Sequence, residues 1–505
     1  MNRLTSALAA LSADRLRAMH RGVEKESLRV DADGRLALTP HPAALGSPLK
    51  HPNITTDFSE SQPELVTAVH DSVEACETEL TQIHQAVYHA LGDEMLWAAS
   101  MPCGLPTDEN IPVARFGSSN VGRAKSVYRM GLGVRYGRRM QTISGIHYNW
   151  SMPGLGEDDY FGLIRNFRRH SFVLLTLFGA SPAVCQSFVE DRTHELQRLS
   201  EYTLYLPHAT SLRMGRLGYQ SDAQAALAVS YNSLGDYAGS LFGALTRPFP
   251  PYERVGIRGP GGEYLQLATS LLQIENESYG TIRPKRVIRP GERPLHALRE
   301  RGVEYVEVRL MDLDPFKPLG IDSDTMRVID LFLLHCLLSE SPPDSNEEIA
   351  RMYRNQHLSA ARGREPGLQL ERRDGEIALF DWALEIIDDC KPIAAAVDAA
   401  QGGTAYAQSL SVARETLIAP QRLPSARVLE TMACDFDQSY TAFVRAQSLG
   451  TREALLRLPY GDDLALRFQA FADESLQAQR CAEKSDSVPF ETYRQQYLAP
   501  ERLKL

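Results

Sequence analysis

A segment of strict alternation near the start of the chain constrains the fold most. Residues 22–30 read GVEKESLRV, and the side chains that would share one face of such a strand are Glu24, Glu26, Leu28 and Val30. The two carboxylates would lie about 7 Å apart along the strand. Because like charges repel in a low dielectric, this face must meet either water or a cation.

The residues that follow this segment predict a hairpin. Residues 31–34 (DADG) are typical of a tight turn, with Gly34 at a position that tolerates a positive φ. Residues 35–38 would then return as the partner strand. The sequence therefore predicts a glutamate pair on an antiparallel sheet.

The composition is that of a soluble globular enzyme. The chain has 505 residues, of which 43% are hydrophobic and 23% charged, enough for one large mixed domain or several smaller ones. A net charge of −10 argues against general affinity for nucleic acid. The seven cysteines form no CxxC and predict reduced thiols in a cytoplasmic protein, without a zinc knuckle or a disulfide framework. We find neither a signal segment nor an apolar run long enough to span a membrane.

Further strands and a helix are expected before residue 92. Residues 51–60 favour a strand with Thr55, Asp57 and Ser59 on one face, and residues 64–69 favour the next strand. Asp71 and Glu74 resemble a capping box for a helix that ends at Gly92.

A basic interval follows. Residues 111–155 contain no acidic side chain but seven lysines and arginines, which must either pair with carboxylates elsewhere or receive an anionic ligand. Residues 140–151 then alternate as a strand, with Ile146, Tyr148 and Trp150 on a packing face. The opposite, polar face presents His147, Asn149 and Ser151.

Residues 304–311 form another alternating segment, in which Glu307 and Arg309 share a face. The pair suits a site that handles a metal and a phosphoryl group together, or equally an ordinary salt bridge. Residues 264–274 also resemble a strand, and residues 160–180 a buried helix. From Asp324 onward, helical periodicity dominates.

Familiar nucleotide and hydrolase motifs are absent, including the P-loop and GxSxG. What remains is a set of acidic residues spread over several strands and accompanied by His147; its members are Glu24, Glu26, Asp57, Glu60, Glu64 and Glu307. Hard oxygen ligands at this density suit Mg²⁺, or Mn²⁺, rather than zinc. With arginines nearby, the pattern predicts an ATP-using enzyme without a P-loop.

Six segments, in this order, resemble the bacterial glutamate–cysteine ligase family. They are residues 22–30 (GVEKESLRV), 54–58 (ITTDF), 141–149 (QTISGIHYN), 178–183 (FGASPA), 283–286 (RPKR) and 304–309 (EYVEVR). The resemblance implies an α+β fold related to glutamine synthetase, in which a curved antiparallel sheet forms a funnel-shaped active site surrounded by helices. It also implies a catalytic portion over residues 1–323 and a mostly helical portion over 324–505.

The resemblance further implies the reaction. ATP phosphorylates the side-chain carboxylate of glutamate, and the amine of cysteine attacks the acyl phosphate, giving γ-glutamylcysteine, ADP and phosphate. This is the first step of glutathione synthesis. The acceptor could be another amine, and a catalytically silent regulatory or binding protein is the alternative from a different class. A cytoplasmic monomer acting on small molecules, without nucleic-acid or membrane partners, is expected.

Site residues follow by position from the same resemblance. The expected metal ligands, for Mg²⁺ or Mn²⁺, are Glu24, Glu26, Asp57, Glu64, His147 and Glu307. The residues expected to recognise the amino-acid substrates are Tyr128, Arg213, Tyr219 and Tyr279. Arg309, Arg283 and Lys285 are expected at the ATP phosphates, and Arg309 and Glu307 at the transferred group. Glu60 is given no ligand role.

Overall fold

The computed structural model describes residues 3–190, 192–218, 222–225, 227–289 and 291–503. Its strands are β1 (His20–Glu26), β2 (Arg29–Val30), β3 (Ile54–Thr56), β4 (Pro63–Val66), β5 (Met95–Leu96), β6 (Ile146–Ser151), β7 (Ala183–Cys185), β8 (Gln197–Arg198), β9 (Thr203–Tyr205), β10 (Ile282–Lys285), β11 (Tyr305–Met311), β12 (Gln369–Arg372) and β13 (Gly375–Ala378).

The helices up to residue 301 lie before, between and beside these strands. They are α1 (Arg3–Ala10), α2 (Ala13–Arg17), α3 (Val73–Ala90), α4 (Asn120–Tyr136), α5 (Arg138–Gln141), α6 (Glu157–His170), α7 (Phe172–Phe178), α8 (Asp222–Ala225), α9 (Leu234–Thr246), α10 (Pro250–Val255) and α11 (Pro294–Arg301). The later helices are α12 (Ser323–Leu338), α13 (Asn346–Arg362), α14 (Leu379–Asp389), α15 (Lys391–Gln401), α16 (Ala405–Ile418), α17 (Pro424–Asp435), α18 (Tyr440–Arg457), α19 (Asp462–Ser485) and α20 (Phe490–Leu498).

Six strands form one antiparallel sheet in the order β10-β11-β6-β1-β4-β3. Its apolar face includes Val23, Tyr148, Trp150 and Val308, each exposed by 1% or less. Helices α3, α6 and α7 pack against strands of this sheet. The α+β class with an antiparallel sheet, expected from the resemblance, is therefore confirmed.

Two charged side chains lie on the packed side of β1. The Arg21 guanidinium contacts the Asp330 carboxylate of α12 at 3.1 Å, and both side chains are fully buried. Asp330 also accepts hydrogen bonds from the hydroxyls of Tyr148 (2.7 Å) and Tyr406 (2.9 Å). Lys25 Nζ lies 2.7 Å from Nε2 of His84. Both basic side chains thus have a polar partner on a covering helix, and burial lowers the pKa of Lys25 to about 7.

The predicted hairpin is only partly present. The tight turn exists, with Gly34 at φ 79° and its N–H donating to the Asp31 carbonyl. Residues 35–38, however, form only a single bridge, Val30 to Leu36, while β1 pairs with β4 and β6. The partner-strand prediction holds only at the end of the segment, where the Ala37 N–H also donates to the Arg29 carbonyl at 2.9 Å. It is wrong for β1, because β4 and β6 occupy both hydrogen-bonding edges of that strand.

Other local predictions need correction. Residues 264–274 form no strand but only isolated bridges, and residues 138–141 are helical, so the strand begins at Ile146. The helix predicted over 160–180 is two helices, α6 and α7. Ser72, not Asp71, caps α3, and its hydroxyl accepts from the Ala75 N–H at 3.2 Å. Alternation and capping patterns are too short-ranged to decide between such neighbours.

The thiol prediction is also wrong for one pair. Cys103 and Cys185 form a disulfide, with their Cα atoms 5.3 Å apart. They lie 82 residues apart in sequence, and no local spacing pattern indicates such a pairing. Within the described chain, no helix combines the length and the hydropathy needed to cross a membrane.

Candidate functional site

The register of the sheet brings the predicted acidic residues onto one face. On β1, Glu24 lies opposite His147 of β6, and Glu26 lies opposite Glu64 of β4. On β11, Glu307 lies opposite Asn149 of β6 and Arg283 of β10. Glu24 and Glu307, which are 283 positions apart in sequence, therefore lie on the same face of the sheet with only β6 between their strands.

His147 lies among three of these carboxylates. Its Nδ1 is 3.2 Å from Glu24 and 4.0 Å from Glu307, and its Nε2 is 3.6 Å from Glu26. The Asn149 amide donates to the other Glu24 oxygen at 2.8 Å. The histidine is 5% exposed. It is therefore part of the site rather than an isolated core histidine.

Burial and mutual repulsion raise the proton affinity of two carboxyls. Burial, followed by the nearby negative charge of Asp57, raises the pKa of Glu26 to about 8. Burial and then the charges of Glu24 and Asp57 raise the pKa of Glu64 well above its usual value. A cation placed between these groups would lower both pKa values.

Glu307 behaves differently. Burial alone would raise its pKa, but Lys285 and Arg309 together hold it well below its usual value. Lys285 Nζ lies 3.1 Å from Oε1 and Arg309 Nη1 lies 3.0 Å from Oε2. The Glu307–Arg309 ion pair of the alternative interpretation is thus present. Arg309 nevertheless keeps 22% of its side chain exposed on the site face.

A divalent ion fits this donor set. Single ligand atoms of Glu24, Glu64 and His147 lie within 4.8 Å of one another. Glu26 and Glu307 adjoin the same histidine. Carboxylate oxygens with one imidazole match the donors that Mg²⁺ and Mn²⁺ accept.

Asp57 and Glu60 flank the next turn and differ in role. Asp57 follows β3 and is half-buried, with an electrostatic effect on Glu26 and Glu64. Glu60 accepts from the backbone N–H groups of His41 (3.1 Å) and Arg115 (2.8 Å). Its carboxylate therefore holds two loops together through their backbone N–H groups.

Arg213 reaches the site beneath the sheet edge. It is 1% exposed, and its Nη2 donates to the Arg309 carbonyl at 2.9 Å. A Cβ added at Gly145 would lie 2.0 Å from that same nitrogen. The Gly145 N–H also donates to Glu26 at 2.8 Å. Gly145 is a site residue that alternation could not identify, because the constraint is the close approach of a distant arginine.

The two described tyrosines expected at the substrates lie near one another. The Tyr279 hydroxyl accepts from the Gln141 amide at 3.1 Å, and its ring meets Tyr136 edge-on at 5.8 Å. Tyr128 lies on α4, where burial and then Glu277 raise the pKa of its phenol well above the usual value. Tyr219, the fourth expected substrate residue, lies outside the described residues.

Arg283 is mainly engaged by the backbone. Its Nη2 donates to the carbonyls of Asn276 (2.9 Å) and Ser278. It adjoins Glu307 across the β10–β11 pair and contributes to that group's low pKa. Lys285, the other β10 cation expected at the phosphates, forms an ion pair with Glu307 at 3.1 Å.

The basic interval of residues 111–155 is largely paired within the protein. Arg135 contacts Glu277 at 2.9 Å, and Arg139 contacts Glu190 at 3.0 Å. Arg129 donates to the carbonyls of Thr56 (3.2 Å) and Asp57, beside the acidic cluster. Structural pairing, the first of the two alternatives, therefore accounts for much of the interval.

Comparison with known proteins identifies the family. The family model for glutamate–cysteine ligase matches residues 6–358. A glutamate–cysteine ligase of Pseudomonas aeruginosa is 47% identical over 496 residues, 95% of this chain and 94% of that protein. One from Alcanivorax borkumensis is 44% identical over 517 residues, 98% of each chain.

Solved structures show the same likeness. The crystal structure of a glutamate–cysteine ligase from Francisella tularensis in complex with AMP matches with a TM-score of 0.90 at 35% identity, covering 95% of this chain and 97% of that one. A bifunctional glutathione synthetase from Pasteurella multocida shares the fold, with a TM-score of 0.71 at 22% identity over 94% of this chain and 58% of that one. This chain belongs to the glutamate–cysteine ligase family and is a ligase.

Proposed function

We propose that the protein uses ATP to join the γ-carboxylate of L-glutamate to the amine of L-cysteine, giving γ-glutamylcysteine, ADP and phosphate. The observation that supports this most directly is the group of carboxylates around His147 on one sheet face, within a member of this family. The product is the first intermediate of glutathione synthesis.

The metal role is part of this proposal. Mg²⁺, with Mn²⁺ as the alternative, would be held by a set comprising Glu24, Glu26, Asp57, Glu64, His147 and Glu307. When bound, such an ion supplies positive charge that neutralises phosphate oxygens. The raised pKa values of Glu26 and Glu64 support the assignment, because a neighbouring cation would favour the ionised form of both carboxyls.

The chain's own cations would act on the phosphoryl group. Arg309 presents a planar fork at the site face, and Lys285 lies on the other side of Glu307. As an oxygen of the glutamate side chain bonds to the γ-phosphorus and ADP leaves, Arg309 stabilises the oxygens on which charge is redistributed. Arg283 supports this edge through its bonds to the loop carbonyls.

The second step exchanges phosphate for nitrogen. The cysteine amine attacks the acyl carbon, the C–O bond to phosphate breaks, and the amine loses a proton to solvent or buffer. Arg213, Tyr128, Tyr219 and Tyr279 are proposed to hold the two amino acids in position. The buried Arg213 donates to the Arg309 carbonyl of β11 at 2.9 Å.

The test is ADP release from the purified protein with ATP, glutamate, Mg²⁺ and each of several amines, with every component omitted in turn. We expect release to require all four components and to be fastest with cysteine. A faster alternative amine would reassign the acceptor, and no release with any amine would indicate a silent regulatory or binding protein.

A second measurement tests the intermediate. With glutamate, ATP and Mg²⁺ but without cysteine, hydroxylamine should trap γ-glutamyl hydroxamate, because a carboxylate has no leaving group until it is phosphorylated. Formation of AMP and pyrophosphate instead of ADP would show an adenylate and overturn the proposed reaction.

We also propose that the protein acts in the cytoplasm as a monomer and that residues 1–323 form its catalytic portion. The six strands of the main sheet all lie within that range. The helical portion, residues 324–505, packs against it through contacts such as those of α18 and α19 with α3.

A further inference from the structure

A second group of metal-binding side chains lies on the packed side of the sheet, away from the acidic cluster. One ring nitrogen of His170, one of His335 and the Cys336 thiol sulfur lie within 4.8 Å of one another. His170 is the last residue of α6, whereas His335 and Cys336 lie on α12. Helices α6 and α12 pack together, so the group joins two elements.

Both imidazoles have a buried nitrogen available. His335 is 3% exposed, and Cys336 is fully buried. Nδ1 of His170 and Nδ1 of His335 are buried and have no hydrogen-bond partner among the residues that the structure describes. Buried polar atoms are ordinarily paired, so an unpaired nitrogen on each of two rings that adjoin a thiol indicates a missing ligand.

The surroundings of His335 favour one tautomer. Its Nε2 lies 3.7 Å from the Asp389 carboxylate and 3.5 Å from the Ser339 hydroxyl. A small approach of this carboxylate would form a hydrogen bond that holds the proton on Nε2, leaving the lone pair of Nδ1 for a metal. This carboxylate–histidine arrangement recurs behind zinc ligands.

We propose that His170, His335 and Cys336 bind a zinc-class transition-metal ion, at a site separate from the proposed Mg²⁺ site. Two imidazole nitrogens and one thiolate are donors that Zn²⁺ prefers and Mg²⁺ does not. Tetrahedral zinc would bring these atoms to about 3.5 Å from one another, so the side chains need to move by about 1 Å. The Cys336 thiol becomes a thiolate on binding, and its proton passes to solvent.

The position of the site indicates what the ion would do. Asp330, earlier on α12, forms an ion pair with Arg21 of strand β1, which also carries Glu24 and Glu26. An ion held by His170 and by the later residues of α12 would tie α6 to the helix that supports β1. Bound zinc should therefore raise the melting temperature of the full chain.

The experiment uses Co²⁺ as the probe, because a cobalt–thiolate bond gives a charge-transfer absorption band. The parent is the full chain with Cys434→Ser and Cys481→Ser, which removes the two exposed thiols. One equivalent of Co²⁺ should produce the band, and Zn²⁺ should abolish it. The acidic cluster contains no cysteine and cannot give this signal.

Two variants and a matched control locate the site. Cys336→Ala should abolish the band, whereas Cys76→Ala, which removes a buried thiol on α3, should leave it intact. His170→Gln should weaken Co²⁺ affinity by at least about tenfold, a loss expected even for outer partners of a metal ligand. Because His170 is only half-buried, this variant decides the matter if Cys336→Ala does not fold.

Three results would contradict the proposed metal site. Absence of the band in the parent, its survival in Cys336→Ala, or an unchanged affinity in His170→Gln would overturn the three-residue site. The imidazoles would then be packing groups around Trp382, whose ring meets that of His170 edge-on at 5.9 Å. A zinc-induced rise in melting temperature should be present in the parent and absent from both variants.

Discussion

Both faces of strand β1 bear ionisable side chains, but the two faces differ in how far neighbouring groups neutralise those charges. On the packed face, the Arg21 guanidinium meets Asp330, which two tyrosine hydroxyls also bind. On the site face, burial and neighbouring carboxylates raise the pKa of Glu26 to about 8. On the packed face, each basic side chain of β1 has a partner on a covering helix, and these contacts support the fold. The site face has an excess of acid, which is the condition for receiving a cation.

The largest expected effect comes from opening the packed face. Asp330→Asn leaves Arg21 buried without a counter-charge, and we expect a loss of about 3–5 kcal/mol in the free energy of unfolding. Urea denaturation measures it. Asp324→Asn on the same helix, whose side chain is 62% exposed, is the matched control and should cost less than about 1 kcal/mol. Equal losses in the two variants would contradict the comparison.

Substitutions on the site face should reduce activity without destabilising the fold. Arg309→Lys keeps the charge but loses the planar fork, so kcat should fall by about a hundredfold or more. Added Mg²⁺ should not restore it. The control is Arg301→Lys, which changes an arginine of α11 that forms an ion pair with Glu292. This variant should keep normal turnover. If Arg309→Lys also turns over normally, its phosphoryl role must be abandoned.

Substitution of Glu307 should impair activity in a different way from substitution of Arg309. Glu307→Gln removes a proposed metal ligand, and the apparent Mg²⁺ affinity should weaken by about tenfold, with partial recovery at high Mg²⁺. Rate measured against Mg²⁺ concentration shows this. Glu304→Gln, a half-exposed neighbour at the start of the strand, should leave the curve unchanged. A Glu307→Gln curve that overlays the parent curve, together with lower stability, would favour a purely structural salt bridge.

The smallest expected effect is a change in stability when one carboxyl of the acidic cluster is neutralised. Glu64→Gln removes a carboxyl whose folded pKa is raised, so without metal the free energy of unfolding at pH 7 should rise by on the order of 1 kcal/mol. The sign follows from linkage. The folded state retains a proton that the unfolded state releases above about pH 4.3, so the wild-type chain loses stability as pH rises through the folded pKa.

Chemical denaturation at several pH values, with a chelator present, measures this difference. The gain in stability from Glu64→Gln should vanish near pH 4 and below, where the Glu64 carboxyl of the wild-type chain is protonated in both the folded and the unfolded state. A variant that is less stable than wild type at pH 7 would show that Glu64 belongs to a balanced set, like that of the packed face.

Sequence patterns predicted the faces of several strands correctly. Alternation in residues 146–151 separated Tyr148 and Trp150, which are buried, from His147 and Asn149, which face the acidic cluster. The same period placed Glu307 and Arg309 together on β11, where they form an ion pair. These predictions succeed because the two-residue repeat of a strand is a local property.

Long-range partners were beyond the reach of such patterns. Nothing local to residues 35–38 indicates that β1 prefers β4 and β6, and nothing near Cys103 indicates Cys185. The approach of Arg213 to Gly145 is likewise a contact between distant loops. Each depends on which segments pack together, and that choice rests on the sum of many contacts along the chain.

The sequence by itself determined which side chains could share a face and, through the resemblance of six ordered segments, the family. Only the tertiary structure decided which carboxylates meet, because register across strands sets the distances on which repulsion and pKa depend. It also decided that Asp330 neutralises Arg21 from a helix some 300 residues away. Coulomb energies and desolvation depend on separation in space, which the order of residues along the chain does not specify.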